Sequence, residues 1–305
     1  VLGGEAKPMT LGKEHWEWDL GGDNYVTRID PNNLDTMYLE GMFGSMARRN
    51  LKTGKARGIR PGPAPDGKRL RFNWMTPFIL SHYDSKTLYA GANMLFKSEN
   101  RGDSWKCISP DLSDNMGPER KGDVPFGTIT DISESALKKG LLYAGTDDGQ
   151  LHVTKDDGAT WTKINKGLPN KWVSRVVASK YDEGTAFVSF TGYREDDFEA
   201  YLYMSTDFGE TWKSIVNNMP SESINVIRED PSDQDILYVG TELGAYCSID
   251  KGKTWHSLCK TLPTCAVHDL ALHTGTGDLV AGTHGRSAFV LHAKEIQKIK
   301  QEVAK

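Results

Sequence analysis

The sequence predicts an all-β fold, a β-propeller of four-stranded blades with about six blades visible, and three observations carry that reading. One eight-residue signature returns four times: a hydroxyl residue, any residue, Asp or Asn, any residue, Gly, any residue, Ser or Thr, then Trp. The copies run from Ser98 to Trp105, Thr154 to Trp161, Ser205 to Trp212 and Ser248 to Trp255. A second repeat places an apolar strand before a small-residue turn: Leu88-Tyr89-Ala90-Gly91, Leu142-Tyr143-Ala144-Gly145, Leu237-Tyr238-Val239-Gly240 and Leu279-Val280-Ala281-Gly282. The signatures return at roughly 40 to 55 residues, the spacing of propeller blades.

Each element of the signature has a physical reason. The side chains of Asn100, Asp156, Asp207 and Asp250 can accept bonds from backbone N–H groups further along the turn. Gly102, Gly158, Gly209 and Gly252 supply the positive φ that a tight hairpin needs. Trp105, Trp161, Trp212 and Trp255 provide large apolar plates for packing between sheets. Strand-like residues flank the turns, as in Leu151 to Val153 before and Trp161 to Ile164 after. The signature resembles the Asp box of bacterial neuraminidase repeats, found in sialidases, sortilin-type receptors, some glycoside hydrolases and photosystem assembly factors. The box is a folding device on the outer edge of blades, so the resemblance implies a fold and no catalytic part.

First strands are expected near Tyr25 to Ile29, Pro77 to Ser81, Thr128 to Ser133, Val173 to Ala178, Asn225 to Arg228 and Val267 to Leu272. They give blades near residues 20–60, 72–110, 126–166, 172–217, 223–260 and 266–292. Blade one carries Leu51-Lys52-Thr53-Gly54-Lys55 where the box should be, and blade six also lacks it. Residues 1–19 offer a closing strand; alternatively, a partner or further chain completes a larger propeller. Residues 293–305 read as a helical tail, with Ile296 and Ile299 at helical spacing.

Bulk properties set limits. The 305 residues are 38% hydrophobic and 26% charged with a formal net charge of −4, ordinary for a globular domain. No apolar run reaches the roughly 18 residues of a membrane helix, and no basic footprint marks the chain as a nucleic-acid binder. The start at Val1 without Met implies processing or a fragment of a longer polypeptide. Cys247, Cys259 and Cys265 lie near enough in sequence for one local disulfide, and Cys107 stands apart. No spacing suits a zinc site, so neither metal nor cofactor is expected.

The resemblance extends beyond the box. Asn225 to Pro231, Tyr238 to Thr241, Leu279 to Ser287, Phe72-Asn73-Trp74 and Ser109-Pro110-Asp111-Leu112 are similar to bacterial sortilin-like, BNR-repeat "glycosyl hydrolase" proteins, over about Gly21 to Leu291. The resemblance implies a secreted, periplasmic or cell-surface protein.

Ligand sites on this fold should come from the loops joining second to third strands and fourth to next-first strands. Three clusters qualify. In Gly192 to Glu199, Tyr193 and Arg194 are candidate ligand residues, and Asp196 and Asp197 candidate acid/base groups; solvation of a long loop explains the run equally. His268 and Asp269 on a first strand could transfer a proton, with His284 and Arg286 as ligand residues, or Arg286 could tie one blade to the next. Arg60, Lys68, Arg69, Arg71, Phe72 and Trp74 combine cations and aromatics suited to a sugar or peptide, with Arg71 and Trp74 the candidate contacts. First-strand residues Asp131, Arg175 and Arg228 could point into the channel. A true sialidase is disfavoured, because Arg60-Pro61 and Arg28-Ile29-Asp30 fall short of the Arg-Ile-Pro signature. No nucleophile elbow, P-loop or HExxH motif is present.

The sequence therefore points to an extracytoplasmic recognition or scaffold module for glycan, peptide or protein ligands. The alternatives are a glycoside hydrolase using a carboxylate pair and an assembly factor for a membrane complex.

Overall fold

The computed structural model describes residues 7–8, 23–114, 125–258 and 261–303. Six four-stranded antiparallel sheets form the blades of a β-propeller, and the chain divides into two compact units, Trp18–Ala178 and Val1–Glu17 with Ser179–Lys305. The second of these begins with β1 (Lys7–Pro8).

The unit Trp18–Ala178 holds three complete blades. Blade one is β2 (Asn24–Asp30), β3 (Asn33–Gly41), β4 (Met46–Asn50) and β5 (Ala56–Gly58). Blade two is β6 (Phe78–Leu80), β7 (Leu88–Gly91), β8 (Leu95–Ser98) and β9 (Lys106–Cys107), and blade three is β10 (Ile129–Glu134), β11 (Leu142–Thr146), β12 (Leu151–Thr154) and β13 (Thr162–Lys163). Strand β14 (Trp172–Ala178) completes the unit.

The other unit contains β15 (Ala186–Gly192), β16 (Asp197–Ser205) and β17 (Lys213–Ser214). Blade five is β18 (Ile224–Glu229), β19 (Leu237–Thr241), β20 (Ala245–Ser248) and β21 (His256–Ser257). Blade six is β22 (Val267–His273), β23 (Asp278–Thr283) and β24 (Ala288–His292), with β1 as fourth strand, Lys7 opposite Val290 and Pro8 opposite Phe289. A proline is tolerated there because an outermost strand need not donate on both sides.

Second strands are the most buried elements, and the repeat Leu-Tyr-small-Gly explains why. Tyr38, Tyr89, Tyr143 and Tyr238 are almost wholly buried, and Tyr38, Tyr89 and Tyr238 pack in clusters shared with the next sheet. The glycine that follows permits close approach: a Cβ on Gly145 would overlap Val173 of β14, and one on Gly240 would lie 2.8 Å from Val267 of β22.

The box turns follow their chemistry. Thr154 Oγ1 accepts the Gly158 N–H at 2.9 Å and donates to Asp156 Oδ1 at 2.7 Å. Asp156 accepts the Thr160 N–H at 2.8 Å and the Thr160 hydroxyl at 2.6 Å. Those donors, the Thr160 hydroxyl foremost, pull the Asp156 carboxyl down to about 2. The boxes at Ser205 and Ser248 repeat the pattern. Three tryptophans reach the preceding blade, their Nε1 atoms donating to Ile59, Ile108 and Ile215 carbonyls at 2.8, 2.8 and 2.7 Å.

A further repeat was not anticipated. Glu134 accepts the Ser81 hydroxyl at 2.9 Å and the His82 N–H at 2.7 Å. Glu229 does the same with Ser179 and Lys180 at 2.8 and 2.7 Å. Ser81-His82-Tyr83-Asp84 and Ser179-Lys180-Tyr181-Asp182 are the sequence trace of this inter-blade clamp.

The tail forms α1 (Ala293–Val303), which buries Ala293 and Ile296 in the core shared by blades five and six. Lys300 Nζ bridges Asp233 and Asp235 at 2.6 and 2.9 Å. Cys107, Cys247 and Cys265 are free thiols, and Cys259 lies outside the described residues, as does most of 1–19. No helix among the described residues is long and apolar enough to cross a membrane.

Candidate functional site

In the unit Trp18–Ala178 the loop face gathers around Trp74. The β3–β4 loop turns at Phe43 and Gly44, with φ of 57° and 73°, and Gly44 presses so closely on the Phe72 ring that a Cβ would lie 2.5 Å away. Phe43 then meets Trp74 edge to face at 5.0 Å between centroids, and Trp74 Nε1 donates to the Tyr25 hydroxyl. Met42 and Met75, joined by an isolated β-bridge, expose 38% and 49% of their surface beside these rings. The result is a surface of aromatic and thioether groups.

Beneath it lie two acids that the sequence reading passed over. Glu40 is fully buried, accepts the Thr76 N–H at 2.9 Å, and has no partner for Oε2 among the described residues. Burial pushes its carboxyl up to about 8. Asp147 accepts N–H bonds from Gly127 and Thr128, both at 2.9 Å, and the Thr128 hydroxyl at 2.7 Å. Burial nevertheless outweighs those bonds and raises it to about 6. Asn73 connects this pair of regions, donating to Thr128 at 2.8 Å and Asp147 at 3.4 Å. A buried acid amid strand residues leaves no periodic trace; the adjacent acids Asp147-Asp148 are a local signal that could have marked the second of them.

Arg71 is a clamp between loops. Its guanidinium donates to Asp111 at 2.7 Å, Ser113 at 2.9 Å and the Gly127 carbonyl at 3.1 Å. Arg60 lies 4.5 Å over the Phe72 ring, and Phe72 itself is buried. Asp131 accepts the Val176 N–H at 2.8 Å, holding β14 against β10.

The other unit keeps the two remaining clusters. Tyr193, Arg194 and Glu195 form one 3-10 turn, and Asp196 has a left-handed φ of 56°. Asp197 to Glu199 belong to β16 and not to the long loop expected, because the strand pair β15–β16 extends to Gly192 opposite Asp197. Asp197 accepts the Tyr201 hydroxyl at 2.9 Å and the Glu199 N–H at 3.0 Å. Tyr193 and Phe198 pack edge to face at 5.9 Å while each stays about half exposed.

In blade six, His268 and His284 bring their rings to 5.5 Å, and both are exposed, as is Arg286. Asp269 is engaged by Arg228 at 2.6 Å and by the Leu270 N–H at 2.9 Å, so its carboxylate braces neighbouring first strands. Arg228 thus pairs across blades, its Nε also donating to the Leu270 carbonyl at 2.9 Å. Among the described residues no group of three or more His, Cys, Asp or Glu is arranged to hold a metal ion.

With four hydroxyl-Asp-Gly-Trp turns seated on six four-stranded sheets, the fold is decided. The chain is an Asp-box β-propeller. Within this propeller, residues 149–281 match the family model described as sortilin, neurotensin receptor 3, a span under half the chain. No curated protein matches it. Among solved structures it is similar to the GH74 xyloglucanase from Xanthomonas campestris, at 17% identity and a TM-score of 0.65, covering 88% of this chain and 45% of that one. It is also similar to the extracellular domain of a putative hybrid two-component system from B. thetaiotaomicron, at 14% identity, a TM-score of 0.56, and coverage of 96% and 33%. A third is YCF48 bound to D1 peptide, at 16% identity, a TM-score of 0.53, and coverage of 88% and 81%. The propeller spans less than half of the first two chains. These likenesses establish the fold.

Proposed function

We propose that this propeller is an extracytoplasmic recognition module that takes a glycan, peptide or protein ligand on its loop face, with Trp74 as the principal contact. The observation that carries the reading is the Phe43–Trp74 pair flanked by exposed Met42 and Met75. Aromatic faces stack on sugar rings and apolar side chains alike, and methionine adapts to varied shapes. The nearby carboxylates Asp111 and Asp147 are already held by several donors each, which suits a scaffold more than a reacting centre. Tyr193 and Phe198 supply a comparable surface in the other unit. A xyloglucanase and a protein solved with a bound peptide share the fold, which supports ligand capture without selecting the ligand.

A glycoside hydrolase is the second reading, favoured by one observation: Glu40, held up to about 8, keeps its proton at neutral pH as a general acid must. Titration calorimetry against neutral oligosaccharides and peptides tests the first reading. Wild-type binding that Trp74→Ala weakens at least about tenfold supports it; binding unaffected by Trp74→Ala, or cleavage of a bound glycan that Glu40→Gln abolishes, overturns it.

A further inference from the structure

The formal net charge is −4, yet from Arg48 to Arg71 the chain carries nine Lys or Arg against a single Asp. Four of them, Arg48, Arg49, Lys55 and Arg57, line one cavity of about 270 Å³ at the outer edge of blade one. The β4–β5 ladder sets Arg48 directly opposite Arg57, and like charges facing across a ladder are unfavourable unless an anion answers them. Asp103 answers in part, 3.1 Å from Arg48 and 2.7 Å from Arg57. One carboxylate shared by two guanidiniums leaves the edge with excess positive charge.

Past Thr36 and Arg48 the lining continues into a second cavity, of about 470 Å³, which adds Lys86 and Arg101 with Asn33 and Asn100; Glu99 joins Asp103 as its acids, and Arg101 also faces Asp30 at 3.4 Å, so cations still outnumber carboxylates along this edge. Ala56 apart, the residues lining both cavities are polar or charged, so there is no apolar seat for the side chains of a peptide. Guanidinium forks match the oxygens of sulfate and phosphate esters, and the interleaved Asn and Thr side chains suit hydroxyl groups. Blade one, like blade six, departs from the Asp box: in its third turn Asn50 Oδ1 accepts the Thr53 N–H at 2.8 Å, and Lys52 and Lys55 flank it.

We propose that the outer edge of blade one binds an anionic oligosaccharide bearing sulfate or phosphate esters. The site is built from β3, β4, β5 and the box turn of blade two, none of which carries the aromatic surface at Trp74, so the two proposals stand or fall separately.

Titration calorimetry with a heparin-derived tetrasaccharide, a phosphorylated mannose oligosaccharide, polyglutamate and single-stranded DNA tests it, at low and high salt. The expected result is binding of at least one esterified oligosaccharide, weakened by salt, and the tighter of the two identifies the ester. Lys55→Ala/Arg57→Ala, which removes two exposed side chains, should lower that affinity at least about tenfold while thermal unfolding stays unchanged. The proposal is overturned if neither oligosaccharide binds, if the double variant binds as tightly as wild type, or if polyglutamate or DNA binds equally well.

Discussion

Trp255 Nε1 donates to the carbonyl oxygen of Ile215 at 2.7 Å, and a Cβ on Gly252 would come within 3.0 Å of the same Ile215 side chain. Box glycine and box tryptophan thus close on one isoleucine of the preceding blade. The arrangement recurs as Trp105 with Ile59 and Trp161 with Ile108. The box therefore shapes a hairpin and also fastens that hairpin to its neighbour.

Trp255→Phe should be the costliest of the conservative indole replacements. Trp255 is 3% exposed, so the change leaves the buried Ile215 carbonyl without its donor and a gap where the second ring of the indole stood. An orphaned buried acceptor costs about 1–3 kcal/mol. Trp105 is less buried, and water can reach the Ile59 carbonyl once the indole is gone. Urea denaturation followed by circular dichroism should show a larger fall in midpoint for Trp255→Phe than for Trp105→Phe; equal falls would show that burial does not set the cost.

Gly145→Ala tests the close approach of blades. Its backbone needs no special φ, and Ala is a common residue at neighbouring strand positions, so a propensity argument expects little change. The added methyl overlaps Val173 of β14, and overpacking in a filled core costs about 1–3 kcal/mol. The double variant Gly145→Ala/Val173→Ala should recover part of that loss in the same denaturation experiment. No recovery would mean that the strain lies elsewhere.

The tail helix offers a contrast between packing and charge. Ile296 is fully buried against blades five and six, and truncation of such a side chain to Ala costs about 2–5 kcal/mol. Lys300 is partly exposed where it bridges Asp233 and Asp235, and exposed ion pairs contribute about 0–1 kcal/mol. Hydrogen exchange of α1 amides should accelerate strongly in Ile296→Ala and slightly in Lys300→Ala.

The elements most legible in the sequence were those whose chemistry is local. An Asp-x-Gly turn closes on itself within eight residues, so its four copies revealed fold class, blade period and hairpin position together. The glycines of the second strands were equally visible, although their reason, the side chain of the next blade, is not local. Candidate site residues fared differently because loop chemistry is decided by partners far away in sequence. Arg71 reads in the sequence as a candidate ligand contact and Asp269 as a candidate proton carrier, while their partners Asp111 and Gly127, and Arg228, come beside them only in the fold. Glu40 gave no signal at all, since an acid within an apolar strand reads as an outward-facing residue. The clamp formed by Glu134 and Glu229 left a repeated Ser-x-Tyr-Asp trace, detectable had the intervals between boxes been aligned with one another.

Glu40 makes a pH prediction with a definite sign. Burial lifts its carboxyl from 4.5 to about 8 in the folded chain. Between those values the folded protein keeps a proton that the unfolded chain has released, so stability falls as pH rises, by at most about 1.4 kcal/mol per pH unit. Asp147, raised to about 6, acts in the same direction at lower pH. His152, pushed down to about 4 by burial, acts oppositely, losing stability as pH drops below 6.5. The box carboxylates Asp156 and Asp207, held near 2, lend their stability down to about pH 4 and lose it below. The interval from pH 6.5 to 8 therefore lies clear of these four opposing and reinforcing groups. Thermal unfolding across it should show a falling Tm for wild type and a flatter profile for Glu40→Gln, which keeps an acceptor for Thr76 but cannot ionise. Parallel profiles for the two proteins would mean that Glu40 folds already charged, with a cation or water satisfying Oε2.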